Sequence, residues 1–238
     1  MYYWQNLPQP NIDSYVTRNL RWTSRMADSM DVLTRVLKSL RQVITNWNST
    51  DTRSIPLFTL TGASGIGKTR FGVELLSLLQ QSASPGEELS QALNHSRLIF
   101  LNFANGDRHI LTSMFTKNDI YGQLAYRLLF PNDAFDEHDF ESTAISKVSL
   151  IDLINKLRPN TTTKFVLHIQ IDEFQKGLLE EDFKKIEVAR KDIGLRAYLS
   201  TLLSIAIGLK RFNILTILTC TGVLDTVYSG KSIRNSIF

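Results

Sequence analysis

Short apolar runs alternate along this chain with stretches whose apolar positions recur every three or four residues, an order that reads as strands alternating with helices. The strand candidates are Leu57-Phe58-Thr59-Leu60, Arg97 to Phe103 closed by Asn105-Gly106-Asp107, Phe165 to Ile171, and Asn213 to Gly222. Between them, Phe71, Leu75, Leu76 and Leu79 mark a helix that Ser82-Ala83-Ser84-Pro85-Gly86 ends, and an acidic linker follows. Ile120 to Phe130 reads as a helix with Leu124, Leu128 and Leu129 inward, stopped by Pro131-Asn132-Asp133; an acidic surface loop runs from Asp133 to Glu141. Ser149 to Leu157 gives a shorter helix, and Leu195, Leu199, Leu202, Ala206 and Leu209 place another against a sheet face. The alternation predicts an α/β fold, a three-layer sandwich on a mostly parallel sheet.

A helical segment precedes that core. From Asp28 to Ile44, the residues Val32, Leu33, Val36, Leu37, Leu40, Val43 and Ile44 form an apolar stripe between Arg35, Lys38 and Arg41. Such a stripe either packs on the core or receives a partner helix. Trp4, Trp22 and Trp47 fall in the same segment, as anchors or as a contact surface. The expected division is a helical prelude over 1–50 and a core over 51–238.

Composition narrows the class. With 238 residues, 43% of them hydrophobic, and only 12 Gly and 6 Pro, the chain can bury one sizeable core. A net charge of +4, from 27 Lys+Arg against 23 Asp+Glu, is too small to argue nucleic-acid binding by itself. The single cysteine, Cys220, excludes an internal disulfide and suits a reducing compartment. The start, Met1-Tyr2-Tyr3-Trp4-Gln5-Asn6, lacks the basic residues and apolar run of a secretory signal, so the expected location is intracellular, cytoplasmic or nuclear. The apolar helix ending at Leu209 meets Lys210-Arg211 well short of the about 20 residues a bilayer span needs.

Chemistry enters at Gly62-Ala63-Ser64-Gly65-Ile66-Gly67-Lys68-Thr69, which fits the phosphate-loop pattern G-x-x-x-x-G-K-[ST] at every fixed position and follows a strand candidate. Glycines let consecutive N–H groups and a helix N-terminus close on a polyphosphate. Lys68 is expected to reach the β/γ-phosphates and Thr69 to bind Mg²⁺. A second motif, the apolar run Phe165 to Ile171 entering Asp172-Glu173, places two carboxylates at the C-terminal edge of a buried parallel strand, where ligands of such sheets bind. Asp172 is then the metal-supporting acid and Glu173 the group that orients and deprotonates water. The strand Asn213 to Gly222 ends in threonines, and either Thr219 or Thr221 is a candidate for the γ-phosphate or the water.

Other chemistries fit less well. Thr116-Lys117-Asn118-Asp119 has the form of a guanine-recognition motif but precedes the acidic strand, and no D-x-x-G follows Ile171, which favours ATP over GTP. Asp172 with Asp182-Phe183-Lys184 has nuclease-like spacing, yet Leu178 to Ile186 is charged and helical in pattern. His95, His109, His138 and His168 show no metal spacing, and His168 reads as a core residue.

Together, Gly62 to Thr69, Ile171-Asp172-Glu173 and the threonine-ended strand around Thr219 resemble P-loop ATPases of the additional-strand catalytic-glutamate division, which includes AAA+ and STAND proteins. More closely, Thr61 to Phe71, Asn102-Phe103-Ala104-Asn105-Gly106, Gln123-Leu124-Ala125-Tyr126-Arg127 and Ile171 to Gln175 resemble the ATPase module of Crinkler-type effectors, a style shared by retrotransposon hot spot proteins. That resemblance spans residues 56–222. It implies a P-loop NTPase sheet, ATP and Mg²⁺ as cofactors, and Thr219 at the sensor position. It also leads one to expect flanking header and effector domains, of which no sign is legible, and a lid for which Val223 to Phe238 is too short; the C-terminal part of the fold is therefore expected to be missing and turnover slow. Arg234 is not a candidate finger. Two functions follow: an ATPase that drives or resets a switch in a larger effector-like protein, or a non-hydrolysing, nucleotide-gated module that meets a protein partner through Asp28 to Ile44. Nucleic-acid engagement rests on family analogy alone.

Overall fold

The four strand-forming runs join one sheet. The structure is a computed structural model, and it describes residues 29–49, 55–61, 67–102, 120–129, 149–173 and 203–222. Strands β1 (Leu57–Thr61), β2 (Ser96–Asn102), β3 (Phe165–Asp172) and β4 (Ile214–Gly222) lie in the order β1-β4-β3-β2, and every pairing is parallel. All eight residues of β3 are buried, as expected of a parallel strand covered on both faces. The helices are α1 (Ser29–Thr45), α2 (Lys68–Ser82), α3 (Glu88–Leu93), α4 (Ile120–Leu129) and α5 (Leu150–Leu157), with residues 203–210 also helical. The chain is thus α/β, and helix α2 packs across all four strands.

Register sorts the sheet faces. Gln170 of β3 pairs with Thr219 of β4, and Thr219 with Phe58 of β1, so these side chains share one face. That face lies under α2. Val73 and Leu76 of α2 pack on Leu98 and Phe100 of β2, and Gly72 sits directly above Gln170.

Helix α1 belongs to the same core. Leu33, Val36, Leu37, Leu40 and Val43 are buried in one cluster with α2, α3 and the strands, so the apolar stripe is spent on intramolecular packing. A partner helix would have to displace it. The polar rim is tied down as well: Arg41 pairs with Glu87 at 2.5 Å, raising the guanidinium pKa through the hydrogen bond and lowering that of the carboxyl. Trp47, just past α1, lies beneath Lys164 at 4.7 Å and Lys210 at 5.4 Å, and Lys210 donates to the Ser49 carbonyl at 3.0 Å. The described part of the 1–50 segment therefore shares the core of the rest.

One expectation is corrected. The acidic stretch after Pro85-Gly86 is not a plain linker, because Glu88–Leu93 forms α3. Its Leu89, Ala92 and Leu93 have helical spacing and are buried, and Glu88 stands in the first turn, where a carboxylate favours the helix dipole. Asn105-Gly106-Asp107, Asp133 to Glu141, the positions 195–202, Trp4, Trp22 and the tail 223–238 lie outside the described residues.

The N-terminal end of the sheet holds the register. Asn213 adopts φ 57, a left-handed turn that asparagine tolerates, and its carbonyl accepts the Phe165 N–H at 2.9 Å. Arg158, its pKa lowered by burial, donates to the carbonyls of Thr163 at 3.0 Å and Phe212 at 2.8 Å. These bonds align the starts of β3 and β4. They thereby decide which threonine meets which acid at the far end.

Candidate nucleotide site

The C-terminal edge of the sheet gathers the polar groups. Helix α2 begins immediately after Gly67, which takes φ 90 as its N-cap, and among the described residues no side-chain cap bond is made there. A left-handed backbone of that kind suits glycine, and the N-terminus of a helix favours an anion through its dipole and its first amides. Lys68 and Thr69 are the first two residues of α2 and both are partly buried. Gly62, Ala63, Ser64, Gly65 and Ile66 lie outside the described residues.

The decisive contact joins two distant motifs. Thr69 Oγ1 donates to Asp172 Oδ1 at 2.8 Å, across 103 positions of sequence. Thr221 Oγ1 donates to the same oxygen from β4. Glu173, at the end of β3, has φ 53, and its backbone N–H donates to Thr221 Oγ1 at 3.3 Å. Thr69, Asp172, Glu173 and Thr221 therefore form one hydrogen-bonded group spanning α2, β3 and β4. Asp172 is 6% exposed, so its carboxylate is held by hydroxyls where water has little access.

Thr219 lies elsewhere. It stands one side-chain repeat further into the sheet, fully buried, where its hydroxyl donates to Gln170 Oε1 and lies 2.8 Å from His168 Nε2. A hydroxyl has one proton, so with that proton on Gln170 the imidazole must donate through Nε2–H. Nδ1 is then the bare nitrogen, and it has no partner among the described residues. Desolvation pushes the His168 pKa down to about 3, which keeps the ring neutral. Of the two threonines, Thr221 is the one beside the acids, and Thr219 sits under α2. The physical reason is the pleat: residues two apart share a face but lie well apart along the strand.

No family model, curated protein or solved structure matches the chain.

Two features of the site escape a reading of the sequence. The inner row His168, Thr219 and Gln170 needs Gly72, since a Cβ there would run into the Gln170 side-chain amide. An isolated glycine inside a helical pattern is the signal, because it marks a close approach. Polar residues at His168, Gln170 and Asp172 alternate along an otherwise apolar strand, but only the register with β4 names their partners. Cys220, on the opposite face, is buried, and burial raises its thiol to about 12, as fits a core residue. Among the described residues no cluster of His, Cys, Asp and Glu could hold a metal, and no helix is long and apolar enough to cross a membrane.

Proposed function

We propose that this chain is an ATP-binding P-loop NTPase that hydrolyses Mg·ATP to drive or reset a conformational change. The observation that carries the reading is the bond from Thr69 to Asp172, which unites the end of a phosphate-loop motif with the acid at the tip of β3. The strand order supports it, because β4 lies between β1 and β3. A resemblance to the additional-strand division, with its three-layer P-loop sandwich, leads one to expect that order.

The donor set suits Mg²⁺, a hard cation that takes oxygen ligands and keeps several waters. Thr69 gives its proton to Asp172, so the oxygen's lone pairs stay free for a cation. Both hydroxyls fall on Oδ1 of Asp172, which leaves Oδ2 with capacity for the water shell. Thr69 and Asp172 would hold the metal there, and it would supply positive charge against the phosphate oxygens. Lys68 and the α2 amides would hold the phosphates. Glu173 would accept a proton from the attacking water. Thr221, bonded to the Asp172 carboxylate and to the Glu173 backbone N–H, would lie next to that water.

Equilibrium binding of Mg·ATP and Mg·GTP to the purified chain, with phosphate release in the same samples and Lys68→Ala alongside, tests the proposal. Binding that favours ATP, is lost in Lys68→Ala and is accompanied by release supports it. Binding without release points to a nucleotide-gated module; no binding overturns the site. That module would need a surface other than α1's apolar stripe, which is buried.

A further inference from the structure

Helix α2 meets β3 at two points, and only one of them lies in the site itself. At the strand end Thr69 donates to Asp172 at 2.8 Å. Further in, Gln170 stands beneath Gly72, where a Cβ would overlap the Oε1, Cδ and Nε2 atoms of the Gln170 amide. Gln170 and Asp172 are two apart on β3 and share its face, about 6.7 Å from one another. Thr69 and Gly72 are three apart on α2 and share a helix face, about 4.5 Å apart along the axis. One contact leaves a helix free to tilt; two set its height and its inclination.

A glutamine is an unexpected residue for the inner contact. It is completely buried between Ile169 and Ile171, and its Nε2 has no partner among the described residues. An apolar side chain would avoid that cost. What the amide supplies is length with an anchored end, because Oε1 accepts the Thr219 hydroxyl, which lies 2.8 Å from His168 Nε2. Enclosed and tethered in this way, it has no room to swing aside beneath the helix. Raising α2 by about 1 Å at Gly72 would stretch the bond from Thr69 to Asp172 beyond the range in which a hydroxyl donates well.

We propose that Gln170 is a positioning residue: its anchored amide is a spacer that holds α2 at the height and tilt at which Thr69 reaches Asp172, with Gly72 as the gap in the helix that admits it. The consequence for Mg²⁺ rests on the nucleotide-binding reading above, while the spacing itself does not.

The first test needs no nucleotide. In the full chain, Thr69→Val removes the bond to Asp172 and should raise the unfolding constant in denaturant about tenfold, the scale of a hydrogen bond to a charged group. In Gly72→Ala the helix is already lifted from the strand, so the same change should raise the constant less than about twofold. Full additivity of the two changes overturns the spacer. If Gly72→Ala does not fold, Gln170→Ala replaces it with the same expectation, since removing the spacer also frees the tilt.

The second test reads the metal. At fixed ATP, the Mg²⁺ concentration that half-saturates binding should rise about tenfold in Gly72→Ala and in Gln170→Ala, the lower end of the loss seen when a metal ligand loses its support. Gln170→Met keeps the length and should stay within about twofold of the wild type. Gly72→Ala/Gln170→Ala should lie nearer the wild type than Gly72→Ala, because the new methyl group meets no amide. Affinity for ATP with the metal chelated should change far less in every variant. Equal weakening with and without Mg²⁺ overturns the positioning role and makes Gln170 a packing residue. A chain that binds no ATP overturns the nucleotide reading, and the unfolding cycle still decides whether the spacer exists.

Discussion

Two groups of polar side chains follow one another along β3 and β4, one beneath α2 and one at its N-terminus, and they differ in where they stand along the strands. The inner row, His168, Thr219 and Gln170, is completely buried and joined through the Thr219 hydroxyl, with a neutral imidazole; among the described residues His168 Nδ1 and Gln170 Nε2 have no partner. The outer row, Thr69, Asp172, Thr221 and Glu173, stands one repeat further along, at the strand ends. There α2 begins, with Gly67 as its N-cap. A threonine inside the sheet is a structural hydrogen-bonding group; a threonine at its edge meets whatever the edge binds. The contrast is one of position along the strand: residues two apart share a face, yet one set is sealed beneath a helix and the other stands at the strand ends.

The largest effect should come from the outer row. Glu173→Gln is expected to lower phosphate release by about 10²- to 10⁴-fold, the usual contribution of a general base, while Mg·ATP binding measured by calorimetry persists. Unchanged release would remove Glu173 from the reaction and break the comparison at its functional end.

The inner row should answer in stability. Gly72→Ala puts a Cβ against the Gln170 amide and should cost about 1–3 kcal/mol in denaturant unfolding, the usual range for overpacking. The cost should shrink in a Gln170→Ala background, since the two residues touch. Equal costs in both backgrounds would show that the Gln170 amide is not what the new Cβ meets.

Acid should act on the inner row through His168. The ring is neutral when folded, with a pKa near 3, and an unfolded histidine titrates near 6.5, so between those values the unfolded state binds more protons. Its contribution is fully present above about pH 6.5 and falls as pH drops, by up to about 1.4 kcal/mol per unit. Unfolding curves between pH 7 and 5 should show that slope, and His168→Leu should flatten it. An unaltered slope would assign the acid sensitivity to other groups.

The finest contrast, ending at no loss at all, compares two buried threonines of β4. Thr219 is paired, and Thr219→Val should cost about 1–3 kcal/mol through the partners it strands. Thr216 is equally buried with no partner for its hydroxyl, so Thr216→Val should be neutral or stabilising in the same thermal melts. Equal costs would show that partnering does not separate the rows.

Much of this is legible in the residues themselves. Val32 to Ile44 announce α1 by period, Phe165 to Asp172 announce a strand by a continuous apolar run, and Gly67-Lys68-Thr69 announce the start of a helix that suits an anion. Each of these signals is local. The short helix Glu88–Leu93 is hidden in the sequence because six residues carry too little periodicity against the turn signals of Pro85-Gly86. The stripe of α1 is legible as apolar but not as packed, since periodicity says which face is greasy and not what covers it.

The sequence by itself determined the element types, the parallel α/β class and the pairing of a phosphate-loop motif with a strand ending in two acids, because propensity, periodicity and motif spacing act over neighbouring residues. Only the tertiary structure decided that β4 lies between β1 and β3, that Thr221 rather than Thr219 bonds Asp172, and that Gly72 makes room for Gln170. Strand order and register arise from contacts between residues far apart in the chain, and a shift of one residue would turn each of these side chains to the other face.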